Sequence, residues 1–579
     1  MRKIFLFCLL VLGVLPLSVA AQEDVDTVYI PIGGSYTDTF EGFLEPIIEY
    51  AGTLETDRVY ILMLPMTFTY DPFVLTTTDL IDNTQASERR RRQLEDQCSE
   101  MTDLYCQVVV PPIYTREAAE DELALDYFTE DLAGVYFLGG DQVFAMQITA
   151  NTPLEEALAD AFARGVPMGG NSAGLAIGSR TMIAGYGGDQ YGPENGFHEG
   201  AVLVWNGEEE RGLSFGATEV VLEQHFWERA RFARFLNALA RADVPPVGIG
   251  VDTYTGGYLV NGTAFGGVFG LYGAVVFDVA SLAARESAKP VPAGDDNNVL
   301  SIRNVLLHTL APGDFAYDVT TRTPSWAPVV TSADRESGTL ALPEGAGTIS
   351  LIGGNSDVSV LMPSDAANYI FLAGYADAAA AAEATGFIDG EGAIFLDADT
   401  EYPDLAGVNT IALVVGDLSL VDVAQFAAIV EAWASGVNLV LGGEAAALAG
   451  TTYAAMPPTP YDSEDDLAIE LATEGTLLQG GTPFAAGLGL IPVSIEVSVL
   501  ADNRYGRWVS LAYNTPDELA LGMSNEATIV INAEGARVIG GNVVMVLDLS
   551  AATLAVGDND GLVIANGILD VVAPSEFID

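Results

Sequence analysis

Gly170-Asn171-Ser172-Ala173-Gly174 carries the clearest chemical content in the chain. An apolar run, Val166 to Met168, precedes it and a helical pattern follows, so Ser172 stands where a strand turns sharply into a helix. A serine on such a turn has its hydroxyl held up at the strand end. The glycines let the chain turn without a Cβ clash, and the Ala173 N–H is left to face a developing oxyanion. Taken alone, the pentapeptide also suits an ordinary helix N-cap serine. A hydroxyl becomes nucleophilic near neutral pH only beside a base, and the sequence contains 3 histidines. His308 sits inside an apolar strand-like run, as a packed core residue does, and His198 lies in a Gly-rich loop. His225 follows the apolar run Glu219 to Leu222, at a strand end, with Arg229, Arg231 and Arg234 just after it on an expected helix. With 23 Lys and Arg against 80 Asp and Glu, such clustering reads as a site that grips carboxylates. A solvated basic face is the competing reading.

These residues need a frame. From Asp24 onward, short β-branched runs end at Gly or Pro: Thr27 to Ile32 at Gly33-Gly34, Val59 to Leu64 at Pro65, Gln107 to Val110 at a Pro pair. Gly134 to Leu138 ends at Gly139-Gly140, and Val166 to Met168 at Gly169-Gly170. Helical stretches separate them. The pattern predicts an α/β fold with a doubly wound, mostly parallel sheet covered on both faces. Ligands in such folds sit beyond the carboxyl ends of the strands, where the Gly pairs fall. After Asp252 short strands and turns continue to Asp318. Residues 24–324 therefore form one expected domain, and the polar stretch 325–345 a linker.

Residues 346–579 echo the first half. Thr348 to Gly354 resembles the opening strand and its Gly pair, and Asp404-Leu405-Ala406-Gly407-Val408 matches Asp131 to Val135. Gly416-Asp417 matches Gly140-Asp141, and Gly442-Gly443 matches Gly169-Gly170. The conserved order predicts an internal duplication. This alignment sets Glu444-Ala445-Ala446 against Asn171-Ser172-Ala173, so Ala445 replaces the nucleophile. Ala501 to Arg504 falls near the His225 position and Ser524 near Asp252. The second half has no histidine, so it is expected to be a degenerate, noncatalytic copy.

The 579 residues are half apolar and carry a formal charge of −57. That balance suits folded domains and opposes nucleic-acid binding. Arg2 and Lys3, the apolar run Ile4 to Leu17 and the small residues Ser18, Ala20 and Ala21 predict a secretory signal peptide over residues 1–21, hence a secreted protein. Cys8 lies mid-run, away from any lipid-anchor position, and no other segment is long enough to span a membrane. Cys98 and Cys106 remain, and an exported protein is expected to join them in a local disulfide. The four arginines Arg89 to Arg92 read as a solvated helix face. No metal-ligand cluster or phosphate-binding loop is present, so no metal or cofactor is expected.

Gly139-Gly140-Asp141-Gln142, the Ser172 elbow and Gln224-His225-Phe226 with its arginines together resemble the cyanophycinases, which group with the aspartyl dipeptidases among serine peptidases. Gly248 to Asp252, Leu306-Leu307-His308 and Pro312-Gly313-Asp314 continue the resemblance, which runs from Thr27 to Pro324. It implies a flavodoxin-like fold related to class I glutamine amidotransferases, and hydrolysis of cyanophycin or related β-linked aspartyl peptides. Ser172 is implied as nucleophile, His225 as base, and the N–H groups of Gly140 and Ala173 as the oxyanion hole. Gln142, Glu223, Gln224, Arg229, Arg231 and Arg234 match substrate-binding positions. Glu223 stands where the family carries Asp, and Asn171 replaces the commoner Thr. The family's Asp-Glu pair is Asp252-Thr253 here, so the acid that orients the histidine is open: Asp252, Asp189 or Glu194. Family members commonly dimerise, which implies that the second half packs on the first as a pseudo-subunit. The alternatives are a binding protein that has lost turnover through the Asp252-Thr253 change, an aspartyl dipeptidase acting on short peptides and, more remotely, an esterase.

Overall fold

The computed structural model describes residues 25–578, apart from 68–70, 281–283, 294–296, 331–339, 355–356, 365–366, 389, 391, 398–399 and 460–465. The expected signal peptide and the middle of the expected linker lie outside the described residues.

Five apolar runs form strands β1 (Val28–Ile32), β2 (Arg58–Leu64), β3 (Tyr105–Val109), β4 (Leu132–Phe137) and β5 (Met168–Asn171). They lie parallel in the order β1-β5-β4-β2-β3. Their continuous apolar character follows from burial on both faces. Leu62 and Leu64 enter one core with Phe137 and Met168, whereas Ile61 and Met63 enter another with Ile30 and Phe43. Each such side chain contributes roughly 1.5–3 kcal/mol on burial. Cys98, at the end of the helix Thr77–Met101, is joined to Cys106 on β3 with the Cα atoms 6.0 Å apart.

The rest departs from a single doubly wound sheet. Beyond β1 the order continues antiparallel through Thr255–Val260, Ala264–Gly270 and Ala316–Asp318. The strands flanking the His225 segment, Val220–Glu223 and Val247–Val251, pair in parallel within a different sheet. That sheet continues through Ala274–Asp278 and Asn298–Leu310 into Leu562–Val572, so both halves share it.

The shared join is reciprocal. Leu306 pairs with Ile568, flanked by Val305 with Leu569 and Leu307 with Gly567. On one side the Asn304 N–H donates to Asp570 at 2.7 Å, and on the other the Asn566 N–H donates to His308 Nδ1 at 3.2 Å. His308 is fully buried as a neutral ring, its pKa pushed down to about 3 by burial. In the second half, Ala393–Phe395, Asn368–Ala373, Thr410–Val415, Asn438–Gly443, Ile349–Ile352 and Ala527–Asn532 follow one another across the sheet. Order and strand senses match β3-β2-β4-β5-β1 and Thr255–Val260. Leu340 and Leu342, at the end of the expected linker, are buried in the second half's core.

Candidate active site

The strand β5 ends at Asn171, and the short helix Ala173–Ala176 begins two residues later. Ser172 between them has φ 54° and ψ −118°, a costly conformation for a residue with a Cβ. The pentapeptide's glycines are explained by one neighbour. A Cβ on Gly170 or Gly174 would lie 2.2 or 2.4 Å from the Phe137 carbonyl oxygen. The Ser172 N–H donates to the Ile32 carbonyl at 2.9 Å, pinning the elbow to β1.

His225 reaches this elbow from the other sheet. Its N–H donates to Gly33 O at 3.0 Å, and its Nε2 lies 2.9 Å from Ser172 Oγ. A Cβ on Gly34 would come within 2.6 Å of the imidazole, so glycine is required there. Ser172 Oγ also lies 3.1 Å from Gln224 Oε1. The other ring nitrogen, Nδ1, is hydrogen-bonded to the carboxylate of Glu228. With Nδ1 protonated toward Glu228, Nε2 is free to accept a proton from serine.

Glu228 thus occupies the place left open among Asp252, Asp189 and Glu194. Asp252 has no hydrogen bond to the imidazole among the described residues: its Oδ1 accepts the N–H groups of Trp227 at 3.0 Å and Glu228 at 3.1 Å. Burial and the nearby Glu474 push its pKa well above the ordinary carboxylate range. Asp189 and Glu194 are exposed, and both ring nitrogens of His225 are engaged elsewhere. Consecutive turns, with Arg229 N–H on His225 O at 3.1 Å and Ala230 N–H on Trp227 O at 3.0 Å, carry Glu228 back over the ring. The spacing His225-x-x-Glu228 was the available sequence signal, overshadowed by the arginines that follow it.

Burial pulls the His225 pKa below the ordinary 6.5, and its bond to Glu228 opposes this only in part. The imidazole acts as a base only when neutral, which it is above its pKa. The acid limb of a pH–rate profile is therefore expected below pH 6.5, with activity retained in mildly acidic buffer. A limb at or above 6.5 in kcat/KM against pH would contradict this.

Beside the hydroxyl, the Gly139-Gly140 segment runs close enough that a Cβ on Gly139 would lie 3.2 Å from Ser172 Cβ. Among the described residues, neither the Gly140 nor the Ala173 N–H has an acceptor, as an oxyanion hole requires. Gln142 is buried and donates through Nε2 to the carbonyls of Ile183 at 3.1 Å and Ala184 at 3.3 Å.

The three arginines do not act alike. Arg234 is committed to Glu223, with Nε to Oε2 at 3.1 Å and Nη2 to Oε1 at 3.0 Å, and it covers the Tyr186 ring. Arg231 donates through Nη1 to Glu223 Oε1 and to the Gln224 carbonyl, both at 3.0 Å. Its Nε and Nη2 have no partner among the described residues. Burial and Arg234, partly offset by Glu223, bring the Arg231 pKa down to about 9, so it remains a cation at neutral pH. Arg229 is half exposed, 3.7 Å from Glu228. Glu223 is thus no simple longer stand-in for aspartate. It is a buried anion shared by two cations, leaving one net positive charge beside Gln224.

No protein-family model matches the chain. It is 31% identical over 201 residues to the cyanophycinase of Geminocystis herdmanii, a match that covers 34% of this chain and 67% of that protein. The chain belongs to the cyanophycinase family. It is also 30% identical over 192 residues to the cyanophycinase of Trichormus variabilis, where the match spans 57% of the relative's length. Among solved structures, a peptidase from an acI-B1 actinobacterium aligns over 43% of this chain and 90% of its own, at 16% identity and a TM-score of 0.32.

The second half of this cyanophycinase-family chain holds segments of similar backbone geometry with other side chains. The elbow there falls at Gly443, with φ 58° and ψ −135°, rather than at the expected Ala445. Strand register explains the shift: Pro31 pairs with Gly170 as Leu351 pairs with Leu441, two residues before each elbow. The position of His225 is taken by Ser498 rather than by residues 501–504. Ser498 has φ 54° against 44° for His225, and it faces Gly354 as His225 faces Gly34. Ser524 matches Asp252, as a Cβ on Gly353 or Gly33 would lie 2.0 Å from the Ser524 or Asp252 carbonyl oxygen. The charged cluster persists as Glu496, Arg504 and Arg507. There Arg504 holds a further carboxylate, Glu444, through Nη1 and Nη2 at 2.9 Å each.

Proposed function

We propose that this chain is a secreted serine peptidase that hydrolyses cyanophycin or related β-linked aspartyl peptides. The observation that carries the reading is the chain of contacts from Ser172 Oγ to His225 Nε2 and from His225 Nδ1 to Glu228. Ser172 Oγ attacks the scissile carbonyl while its proton passes to Nε2. Glu228 stabilises the imidazolium that forms, and the N–H groups of Gly140 and Ala173 receive the oxyanion. Nε2 then protonates the leaving amine. Water, deprotonated by the same nitrogen, hydrolyses the acyl-enzyme.

A substrate carboxylate next to the scissile bond suits the unpaired edge of Arg231. Glu444 on Arg504 supports this, because a carboxylate delivered by the protein itself fills the matching position in the second half. Arg231→Lys keeps the charge but loses the fork. It is expected to raise KM by about tenfold to a hundredfold with kcat within a few-fold, since charge-assisted hydrogen bonds contribute about 1.5–3 kcal/mol. An unchanged KM would remove Arg231 from the pocket.

The matching strand order and the reciprocal join at Leu306 and Ile568 support descent by internal duplication, with the second half standing in for a dimer partner. The Cys98–Cys106 disulfide supports an oxidising compartment and so export. The substrate assignment is tested by incubating the purified chain with cyanophycin and, separately, with β-aspartyl-arginine dipeptide. Release of dipeptide from the polymer supports a cyanophycinase. Cleavage of the dipeptide alone makes it an aspartyl dipeptidase, and turnover of neither refutes the reading.

A further inference from the structure

Glu228 is held in an unusual way. Its side chain is 37% exposed, and the backbone that carries it is gripped from two sides. Asp252 accepts the N–H groups of Trp227 and Glu228. Asn503, from the second half, donates through Nδ2 to the carbonyls of the same two residues, at 2.7 Å to Trp227 and 3.3 Å to Glu228. Asn503 is buried and has φ 47°, a conformation asparagine tolerates well. Next to it Tyr505 stacks on Phe232, with ring centroids 4.8 Å apart and an interplanar angle of 21°, and lies against Trp227 at 6.2 Å.

The grip runs in one direction. The position matching Asn503 in the first half is Ala230, with φ 49°, which has no side-chain donor to return the contact. Reciprocal packing of two like halves would not need an asparagine on one side alone. It sits in the half without a nucleophile and acts on the loop of the half that has one.

We infer that Asn503 is a positioning residue for the Ser172 site, fixing the Trp227–Glu228 backbone so that the Glu228 carboxylate stays on His225. The second half thereby completes the site rather than only covering it. This rests on the peptidase reading above, so the test includes a readout independent of turnover. Asn503→Gly keeps the positive φ and removes both hydrogen bonds. Asn503→Ala is a second variant, with Ala230 showing that alanine takes this backbone. Asn559→Ala is the control, because Asn559 makes the same kind of contact between the halves, to the carbonyls of Leu271 at 2.7 Å and Tyr272 at 3.1 Å.

Two quantities are measured on the full chain: the pH dependence of labelling by a fluorophosphonate probe, and the titration of the His225 ring by NMR. Both Asn503 variants are expected to label at least tenfold more slowly. Their acid limb and ring titration should move to lower pH, because a displaced Glu228 stabilises the imidazolium less. Asn559→Ala should stay within twofold of wild type in labelling, whatever it does to the melting temperature. Wild-type labelling and an unmoved His225 titration in Asn503→Gly and Asn503→Ala would overturn the inference while leaving the peptidase reading intact. Failure of the wild type itself to label would refute that reading, and the ring titration would still decide the role of Asn503.

Discussion

Ser172→Ala is expected to abolish covalent labelling by a fluorophosphonate and to lower kcat by about six orders of magnitude, the size of loss seen when a serine-peptidase nucleophile is removed. Alanine occupies the elbow at no greater steric cost than serine, since both carry a Cβ at φ 54°. The melting temperature should therefore be nearly unchanged, and the loss belongs to the chemistry. His225→Ala is expected to fall as far, because nucleophile and base work as one unit and their effects do not add. Measured kcat for the double variant should match either single one. An active Ser172→Ala enzyme would move the chemistry to another part of the molecule.

Glu228→Gln is the second large effect, expected to cut kcat by about three to four orders of magnitude. The amide can present its N–H₂ to Nδ1, which favours the tautomer with the proton on Nε2, where it cannot accept one from Ser172. It also removes the negative charge that stabilises the imidazolium. Asp252→Asn should remain within a few-fold of wild type. The Oδ1 of Asp252 accepts two backbone N–H groups, and an asparagine oxygen can accept the same two. Steady-state rates for the two variants separate the acids cleanly. The opposite ranking would return the orienting role to Asp252.

Ser172 and His225 were legible because each stands at the end of an apolar strand bounded by glycines or a change of pattern. Such boundaries survive without tertiary information. Glu228 was not, because positive φ on either side of it, 44° at His225 and 49° at Ala230, winds the chain into turns that no periodicity announces. The sequence left Asp252 as one of three candidate acids, and its Oδ1 instead accepts the Trp227 and Glu228 N–H groups. The arginines were read as a group, yet Glu223 lies eleven residues before Arg234 on a strand, and that pairing separates Arg234 from Arg231. In the second half, matching by composition stopped two residues past the true elbow. Ala445 resembles a lost serine, but hydrogen-bond register places Gly443 there. The five-stranded parallel core followed from its apolar runs. The division of the first half between two sheets, and the sheet shared through Asn298–Leu310 and Leu562–Val572, depend on long-range pairing that apolar patterning does not encode.

The central claim is that Ser172, with His225 and Glu228 behind it, cleaves peptide bonds of β-linked aspartyl substrates. The most direct test is mass-spectrometric detection of β-aspartyl-arginine dipeptide released from purified cyanophycin by wild type and by Ser172→Ala. Release by wild type and none by the variant is the predicted result. Equal release by both, or none from a folded wild type, would contradict it.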